Sequence, residues 1–308
     1  MSSSSQKGAG RFAPSPTGPL HLGSLIAALG SYLLARNSGR RWLLRIDDLD
    51  RPRVVPGAAA EILRLLETLG FTWDEAPVYQ SLRNKRYAEV LGQLRESGLI
   101  YPCSCSRKEV LASAPHAGEE GPVYPGTCRE KPTTSRAQYA QRLKVTSNTI
   151  SFHDGLQGDY RQNLQTEVGD FVLFRADGLF AYQVATVIDD LDAGIDQVVR
   201  GADLLTSTPR QIFLYRCLHE SPPEYFHLPL LLDEAGEKIS KRQGEAGCVT
   251  GENGSSMMCL ALIFLGQPPP RELCGAPAVR LLEWAVANFE MAAVPRANLK
   301  LSGLQFSY

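Results

Sequence analysis

The chain has 308 residues, 32 Lys and Arg against 33 Asp and Glu, and a formal net charge of −1. That balance excludes a protein that holds nucleic acid by its overall charge, so any RNA contact must come from a local basic patch. The length allows one large or two moderate cores plus an insertion, and seven cysteines, an odd number, argue against a disulfide framework and for a reducing, cytoplasmic setting. The first residues, 1–9, read as a polar, flexible leader with no apolar core of the kind a secretory signal needs, and no transmembrane run follows.

Arg11-Phe12 closes a short strand, and Pro14, Pro16, Gly18 and Pro19 then rule out regular structure until apolar residues return at helical spacing over Leu25 to Leu34. The turn brings His21, Gly23 and Ser24 to a helix N-terminus. Free backbone N–H groups and a partial positive charge there suit phosphate oxygens, with Gly23 letting a ligand come close and Ser24 available as the cap. Arg41 to Ile46 reads as a buried strand ending in Asp47, Asp48 and Asp50. Carboxylates at a strand's C-terminal end face the ligand crevice of an α/β sheet, and a solvated turn with a helix cap is the ordinary alternative. Helical spacing over Ala58 to Leu69 stops at Gly70. A further helix over Asn84 to Ser97 brings Arg83, Lys85, Arg86 and Arg95 either to RNA or to a solvated face.

Cys103 and Cys105, with Cys128 after a Gly- and Pro-rich span, read either as three thiols of a tetrahedral zinc shell or as reduced, unliganded cysteines; on chemical grounds His116 is a candidate for the fourth place of such a shell. Arg142 to Val145 and Ile150 to Phe152 alternate as strands, and 159–166 reads as turn-rich. Runs at 170–175 and 180–190 straddle the turn Ala176-Asp177-Gly178, the second reading as strand then helix. Arg200 and Asp203 lie just past another strand, and Thr206 to Gln211 opens a helix with Pro209 in its first turn. His227 to Asp233 leads into a basic loop, Gly236 to Arg242, that carries Lys238 and Lys241. A Gly- and Ser-rich linker, 247–256, precedes an apolar segment and an amphipathic helix over Ala278 to Glu290.

His21-Leu22-Gly23-Ser24 resembles the HIGH signature of class I aminoacyl-tRNA synthetases, and Lys238-Ile239-Ser240-Lys241-Arg242 resembles their KMSKS loop, in the right order along the chain. Arg11 to Gly18 and Arg45-Ile46-Asp47-Asp48-Leu49-Asp50 are similar to the glutamyl branch of that family. The resemblance implies an α/β fold: a class I synthetase Rossmann-like parallel sheet with an inserted zinc-containing α+β connective domain and a short helical C-terminal segment. The expected divisions are 10–98 and 181–246 for the two halves of the catalytic domain, 99–180 for the insert with its zinc segment at 101–128, and 247–308 for linker and helical segment.

It also implies activation of L-glutamate by ATP with Mg²⁺. Arg11, Ala13, Ser15, Asp47, Tyr182 and Arg200 would surround the amino acid, and His21, Gly23, Ser24 and Lys241 the ATP, with His21, Lys238 and Lys241 as the catalytic set. One structural zinc would sit on Cys103, Cys105, Tyr124 and Cys128, with His116 the competing fourth ligand. Asp47 stands where the family has Glu, one methylene shorter, and a displacement of about 1 Å at a reacting centre costs on the order of a hundredfold in rate. Ala202 replaces a Glu of the parent pattern, which points to the branch that glutamylates queuosine at the wobble position of tRNA(Asp), and the short segment after the KMSKS-like loop agrees with a catalytic domain that addresses the anticodon loop. The expected partners are L-glutamate, ATP and queuosine-containing tRNA(Asp), met by a monomer without a membrane, with Arg107, Lys108, Arg129 and Lys131 as the candidate RNA patch. The alternatives are a truncated glutamyl-tRNA synthetase charging a tRNA 3′ end and a catalytically silent RNA-binding module.

Overall fold

The computed structural model describes residues 8–114, 117–118, 121–130, 138–238, 248–273, 275–300 and 302. The first part runs β1 (Ala9–Phe12), α1 (Leu22–Asn37), β2 (Arg41–Ile46), α2 (Ala58–Thr68), β3 (Val78–Tyr79) and α3 (Asn84–Glu96). The middle holds β4 (Ile100–Cys103), α4 (Arg107–Ser113), the small ribbon β5 (Ala117–Gly118) and β6 (Gly121–Pro122), β7 (Ala140–Leu143), β8 (Thr149–Asp154), β9 (Gly158–Asn163), α5 (Leu164–Glu167) and β10 (Phe171–Phe174). Then come α6 (Tyr182–Asp192), β11 (Ile195–Gly201), α7 (Thr208–Cys217), β12 (Glu224–Leu228), β13 (Leu231–Leu232), α8 (Gly254–Phe264), α9 (Ala278–Asn288) and β14 (Leu299–Lys300).

Seven strands form one sheet in the order β3-β2-β1-β11-β12-β8-β9. All neighbours are parallel except the hairpin of β8 and β9. The chain moves outward from β1 to β2 and β3 on one side and resumes with β11 and β12 on the other, so β1 and β11 flank a point where the strand order reverses. Open α/β sheets bind ligands outside the carboxyl ends of strands at such a point. Every residue of β1 is buried, as a central strand with cover on both faces requires.

One face of the sheet is covered by α1, α2, α8 and α9, around Leu29, Leu33, Trp42, Leu66, Phe264 and Leu281, and the other by α3, α6 and α7, around Tyr87, Val184, Ile188, Val198 and Leu214. Helix α1 is apolar nearly all round because β1, β2 and β11 lie on one side of it and α8 and α9 on the other. The C-terminal helices therefore share one core with α1 and α2.

The expectation for 99–180 needs division. Strands β4, β7 and β10 make a separate three-stranded sheet, whereas β8 and β9 extend the main one. The stretch 159–166, expected to be turn-rich, is strand β9 followed by the single turn α5. It escaped the period-two reading because an edge strand with one wet face carries mostly polar residues, here Asp159, Tyr160, Arg161 and Gln162.

Candidate active site

Helix α1 begins at Leu22, and its N-cap is His21 rather than Ser24: the His21 Nδ1 accepts from the Ser24 backbone N–H at 3.3 Å, and Nε2 lies 3.0 Å from Ser24 Oγ. An imidazole in extended backbone reaches the first turn as a carboxylate cap would, which leaves Ser24 inside the helix. The chain pins this end from outside as well, since Val249 N–H donates to the Leu20 carbonyl at 2.8 Å and His21 pairs with Cys248 in a β-bridge.

The helix start opens on a cleft of about 320 Å³. Arg11, Ala13, Ser15, His21, Gly23 and Ser24 line it, together with Tyr182, Arg200, Asp203 and Lys238. Nine residues expected at the site thus meet in one cavity. Asp47 does not line it, and Lys241 lies outside the described residues, as does His116. Lys238 Nζ donates to Asp203 at 2.5 Å at the rim.

Arg200, 5 % exposed, donates only to neutral groups: Nε to His227 Nε2 at 3.0 Å, Nη1 to the Tyr182 hydroxyl at 3.3 Å, Nη2 to Thr208 Oγ1 at 2.9 Å and to the Leu204 carbonyl at 3.5 Å. No carboxylate among the described residues forms an ion pair with it. A buried guanidinium without a counter-charge is costly in a folded chain, and a cleft wall is where a ligand can supply the missing anion. His227 is in turn held by Asp154, whose Oδ2 lies 2.6 Å from Nδ1. Burial pushes the His227 imidazole below its ordinary value; burial by itself raises Asp154, but the bond to His227 and backbone N–H donors bring that carboxyl below its own.

Arg11 is anchored differently. Its Nε donates to Asp190 at 3.2 Å, Arg45 Nη1 reaches the same carboxylate at 2.5 Å, and Arg45 Nε donates to Asp47 at 2.7 Å. Asp189 completes the network with Gln80, Tyr87 and Arg83, at 2.8 to 2.6 Å. Arg45 and Asp47 are two apart where β2 ends, so their side chains leave on one face and meet. The Asp47 carboxylate consequently turns to Arg45 and away from the cleft. Burial pushes Asp47 above its ordinary value in spite of Arg45, while at Asp190 two guanidiniums overcome burial and bring the carboxyl down. Asp48 is a cap for the turn at Ser81, accepting from its backbone N–H at 2.8 Å and its hydroxyl at 2.7 Å.

Cys103, Cys105 and Cys128 bring their sulfurs within 4.8 Å of one another. The Tyr124 hydroxyl lies 3.3 Å from Cys103 Sγ and 3.7 Å from Cys105 Sγ. Tetrahedral zinc with bonds of roughly 2.3 Å holds its thiolates nearly 4 Å apart, so three sulfurs and a phenol fit one ion. The Arg142 guanidinium sits 3.7 Å above the Tyr124 ring and donates to Cys103 Sγ at 3.2 Å, which offsets the charge such a donor set would carry. Burial holds the Cys105 thiol up to about 11 and pushes the Tyr124 phenol well above its ordinary value.

Of the basic residues expected to meet RNA, Arg83 and Arg86 pair with Asp192, Arg95 donates to Gln141, and Arg129 pairs with Asp170. Arg107 and Lys108 on α4, and Lys85 on α3, remain exposed; Lys131 lies outside the described residues. Asp154, His227, Asp190 and Arg45 were not among the expected site residues. Their one signal is polarity inside apolar runs: a His at the end of a buried strand, and two Asp after Val184 to Ile188. Among the described residues no helix is long and apolar enough to cross a membrane.

The family described as tRNA synthetases class I (E and Q), catalytic domain, matches residues 9–269. A protein of Dechloromonas aromatica named glutamyl-Q tRNA(Asp) synthetase is 52 % identical over 294 residues, covering 95 % of this chain and 97 % of that one. Its namesake from Geobacter sulfurreducens is 49 % identical over 295 residues, covering 94 % of each. Among solved structures, a glutamate tRNA ligase from Elizabethkingia meningosepticum, determined in complex with its amino acid, superposes with a TM-score of 0.77 at 27 % identity, over 96 % of this chain and 67 % of that one.

Proposed function

The chain belongs to the class I tRNA synthetase (E and Q) catalytic-domain family, and on that premise we propose that it activates L-glutamate with ATP and transfers the glutamyl group to queuosine at the wobble position of tRNA(Asp). The names of its relatives carry the choice of acceptor. The observation that carries the amino-acid half is Arg200, a buried cation lining the cleft with neutral partners alone; a glutamate carboxylate is the charge it lacks, and the Nη1 N–H that Tyr182 leaves over can donate to one. Arg11, Ala13, Ser15 and Tyr182 complete the amino-acid pocket. Asp47 contributes through Arg45 and the network that steadies Arg11 rather than by direct contact.

His21, Gly23 and Ser24 at the start of α1 receive the ATP phosphates, where backbone N–H groups and the helix dipole favour negative charge. The glutamate carboxylate attacks the α-phosphate in line and pyrophosphate leaves; the protein's work is positioning and charge stabilisation. Lys238 and Lys241 neutralise the departing pyrophosphate, Lys238 by exchanging its bond to Asp203 for one to phosphate. Magnesium, arriving with ATP, would screen the phosphates. Cys103, Cys105, Cys128 and Tyr124 would hold one zinc that orders their segment, with His116 the competing fourth donor.

The test is transfer of labelled glutamate by the whole chain, acting as a cytoplasmic monomer, to queuosine-containing tRNA(Asp), unmodified tRNA(Asp) and tRNA(Glu), with adenylate formation followed in parallel without RNA. Label on queuosine-containing tRNA(Asp) alone is the expected result. Label on the 3′ end of tRNA(Glu) would replace it with a truncated synthetase, and absence of adenylate under every condition would leave a silent RNA-binding module.

A further inference from the structure

We infer that Asp154 and His227 form a fixed-tautomer relay that sets the plane of Arg200 for the substrate carboxylate, which makes both of them positioning residues for amino-acid recognition. The inference rests on the assignment of Arg200 to glutamate made above. Arg200, His227 and Asp154 stand near the ends of three adjacent strands, β11, β12 and β8; Arg200 and His227 are register partners, and both His227 and Asp154 are 0 % exposed.

Donor and acceptor chemistry fixes the proton. An arginine Nε–H can only donate, so the His227 Nε2 that it meets at 3.0 Å carries the lone pair. The imidazole proton is therefore on Nδ1 and donates to Asp154 Oδ2 at 2.6 Å. Asp154 is itself immobilised, its Oδ1 accepting backbone N–H groups from Leu156, Gln157 and His227 at 3.0, 2.9 and 3.0 Å. Thr208 Oγ1 accepts from Arg200 Nη2 at 2.9 Å, and the Tyr225 ring covers the assembly, stacked on His227 with centroids 6.0 Å apart and 5.4 Å from the Arg200 Cζ. With Nε, Nη1 and Nη2 each tied to a separate group, the plane of the guanidinium is set before a ligand arrives. An imidazole with its proton on Nε2 would instead point N–H at N–H.

The test compares Asp154→Asn, His227→Gln, His227→Leu and Arg200→Ala in the full chain, by glutamate- and ATP-dependent pyrophosphate exchange. Asp154→Asn keeps an oxygen for the three backbone donors but turns an NH₂ toward Nδ1, which drives the imidazole proton to Nε2, the wrong tautomer for its partner. The expected result is a KM for glutamate raised about tenfold or more with the KM for ATP within about twofold, accompanied by a switch from Nδ1–H to Nε2–H in the ¹⁵N spectrum of His227. His227→Gln, which retains an acceptor for Arg200 Nε, is expected to keep the glutamate KM well below that of His227→Leu, so the inference stays testable if Asp154→Asn does not fold. Equal KM values for the Gln and Leu variants would overturn it, as would an unchanged glutamate KM in Asp154→Asn with the tautomer switched. A normal glutamate KM in Arg200→Ala overturns the glutamate assignment itself; a raised one there with a normal one in Asp154→Asn overturns the relay alone.

Discussion

At Asp190 one carboxylate meets two buried guanidiniums, so its removal takes from Arg11 the carboxylate it pairs with and leaves Arg45 with Asp47 and Asp189. Breaking a buried pair from one side costs about 3 to 5 kcal/mol, and Asp190→Asn is expected to lose stability on the order of 3 kcal/mol in urea unfolding and most glutamate activation with it. The sign of the pH dependence follows from the same groups. Asp190 and Asp154 are depressed in the fold, so the stability they add is present above the ordinary carboxylate value and is lost as pH falls through their lower folded values. Asp47 and Asp189 are raised by burial and act in the opposite direction. His227 is depressed too, but as a base: below about pH 6.5 the unfolded chain takes a proton that the folded one refuses, so stability falls with pH there. Urea midpoints at pH 7.5 and 5.5 should therefore differ less for His227→Gln than for the parent, and equal differences would refute this. The motif residues lining the cleft were legible from sequence because turn chemistry and signature spacing are local. Asp190 was not, since it joins Arg11 across 179 positions, nor was Asp154, which joins His227 across 73; no pattern along the chain encodes which buried Asp meets which cation.

Among elements, the turn between α5 and β10 shows how a small residue docks the cysteine segment. Gly169 has φ +75, and a Cβ there would lie 2.3 Å from the Tyr124 carbonyl oxygen. Tyr124 in turn donates its backbone N–H to Val168 at 3.2 Å. Gly169→Ala is expected to cost on the order of 2 kcal/mol through left-handed strain and the backbone clash and to weaken retention of the proposed zinc, read by competition with a chromogenic chelator. Gly178→Ala, with φ +83 and open space around it, should show the strain without the loss of zinc. Helices α2, α3 and α9 were legible because each carries an apolar stripe against a polar one. Strand β9 was hidden by its polar edge, and the α1 cap was misplaced because a histidine does the work usually done by Ser or Asp.

Over the whole molecule, the two large apolar clusters lie on opposite faces of one sheet, while the cysteine segment has a cluster of its own, Tyr101, Cys103, Val110, Tyr124 and Cys128. Five buried side chains make a small core, which the proposed zinc would brace. Chelation of bound metal is therefore expected to speed hydrogen exchange across 101–128 while leaving β1, β11 and β12 protected, and glutamyl-adenylate formation should outlast transfer to RNA; collapse of the main-sheet protection would count against independent folding of the two parts. The parallel sheet was legible through the resemblance to class I synthetases and several of its covering helices from their apolar spacing, but the membership of β8 and β9 was not, because strand order is a long-range property. The small sheet carries one more consequence. β4 and β7 are antiparallel neighbours with Cys103 opposite Ala140, so the chain departs for the cysteine lobe and returns from it at nearly one point. An excursion whose chain leaves and returns at one place can be lengthened, shortened or exchanged over evolutionary time, or by a protein engineer, provided the contacts of Tyr124 and Arg129 with the turn at 168–170 are kept, whereas the hairpin that delivers Asp154 is woven into the main sheet and cannot be traded in the same way.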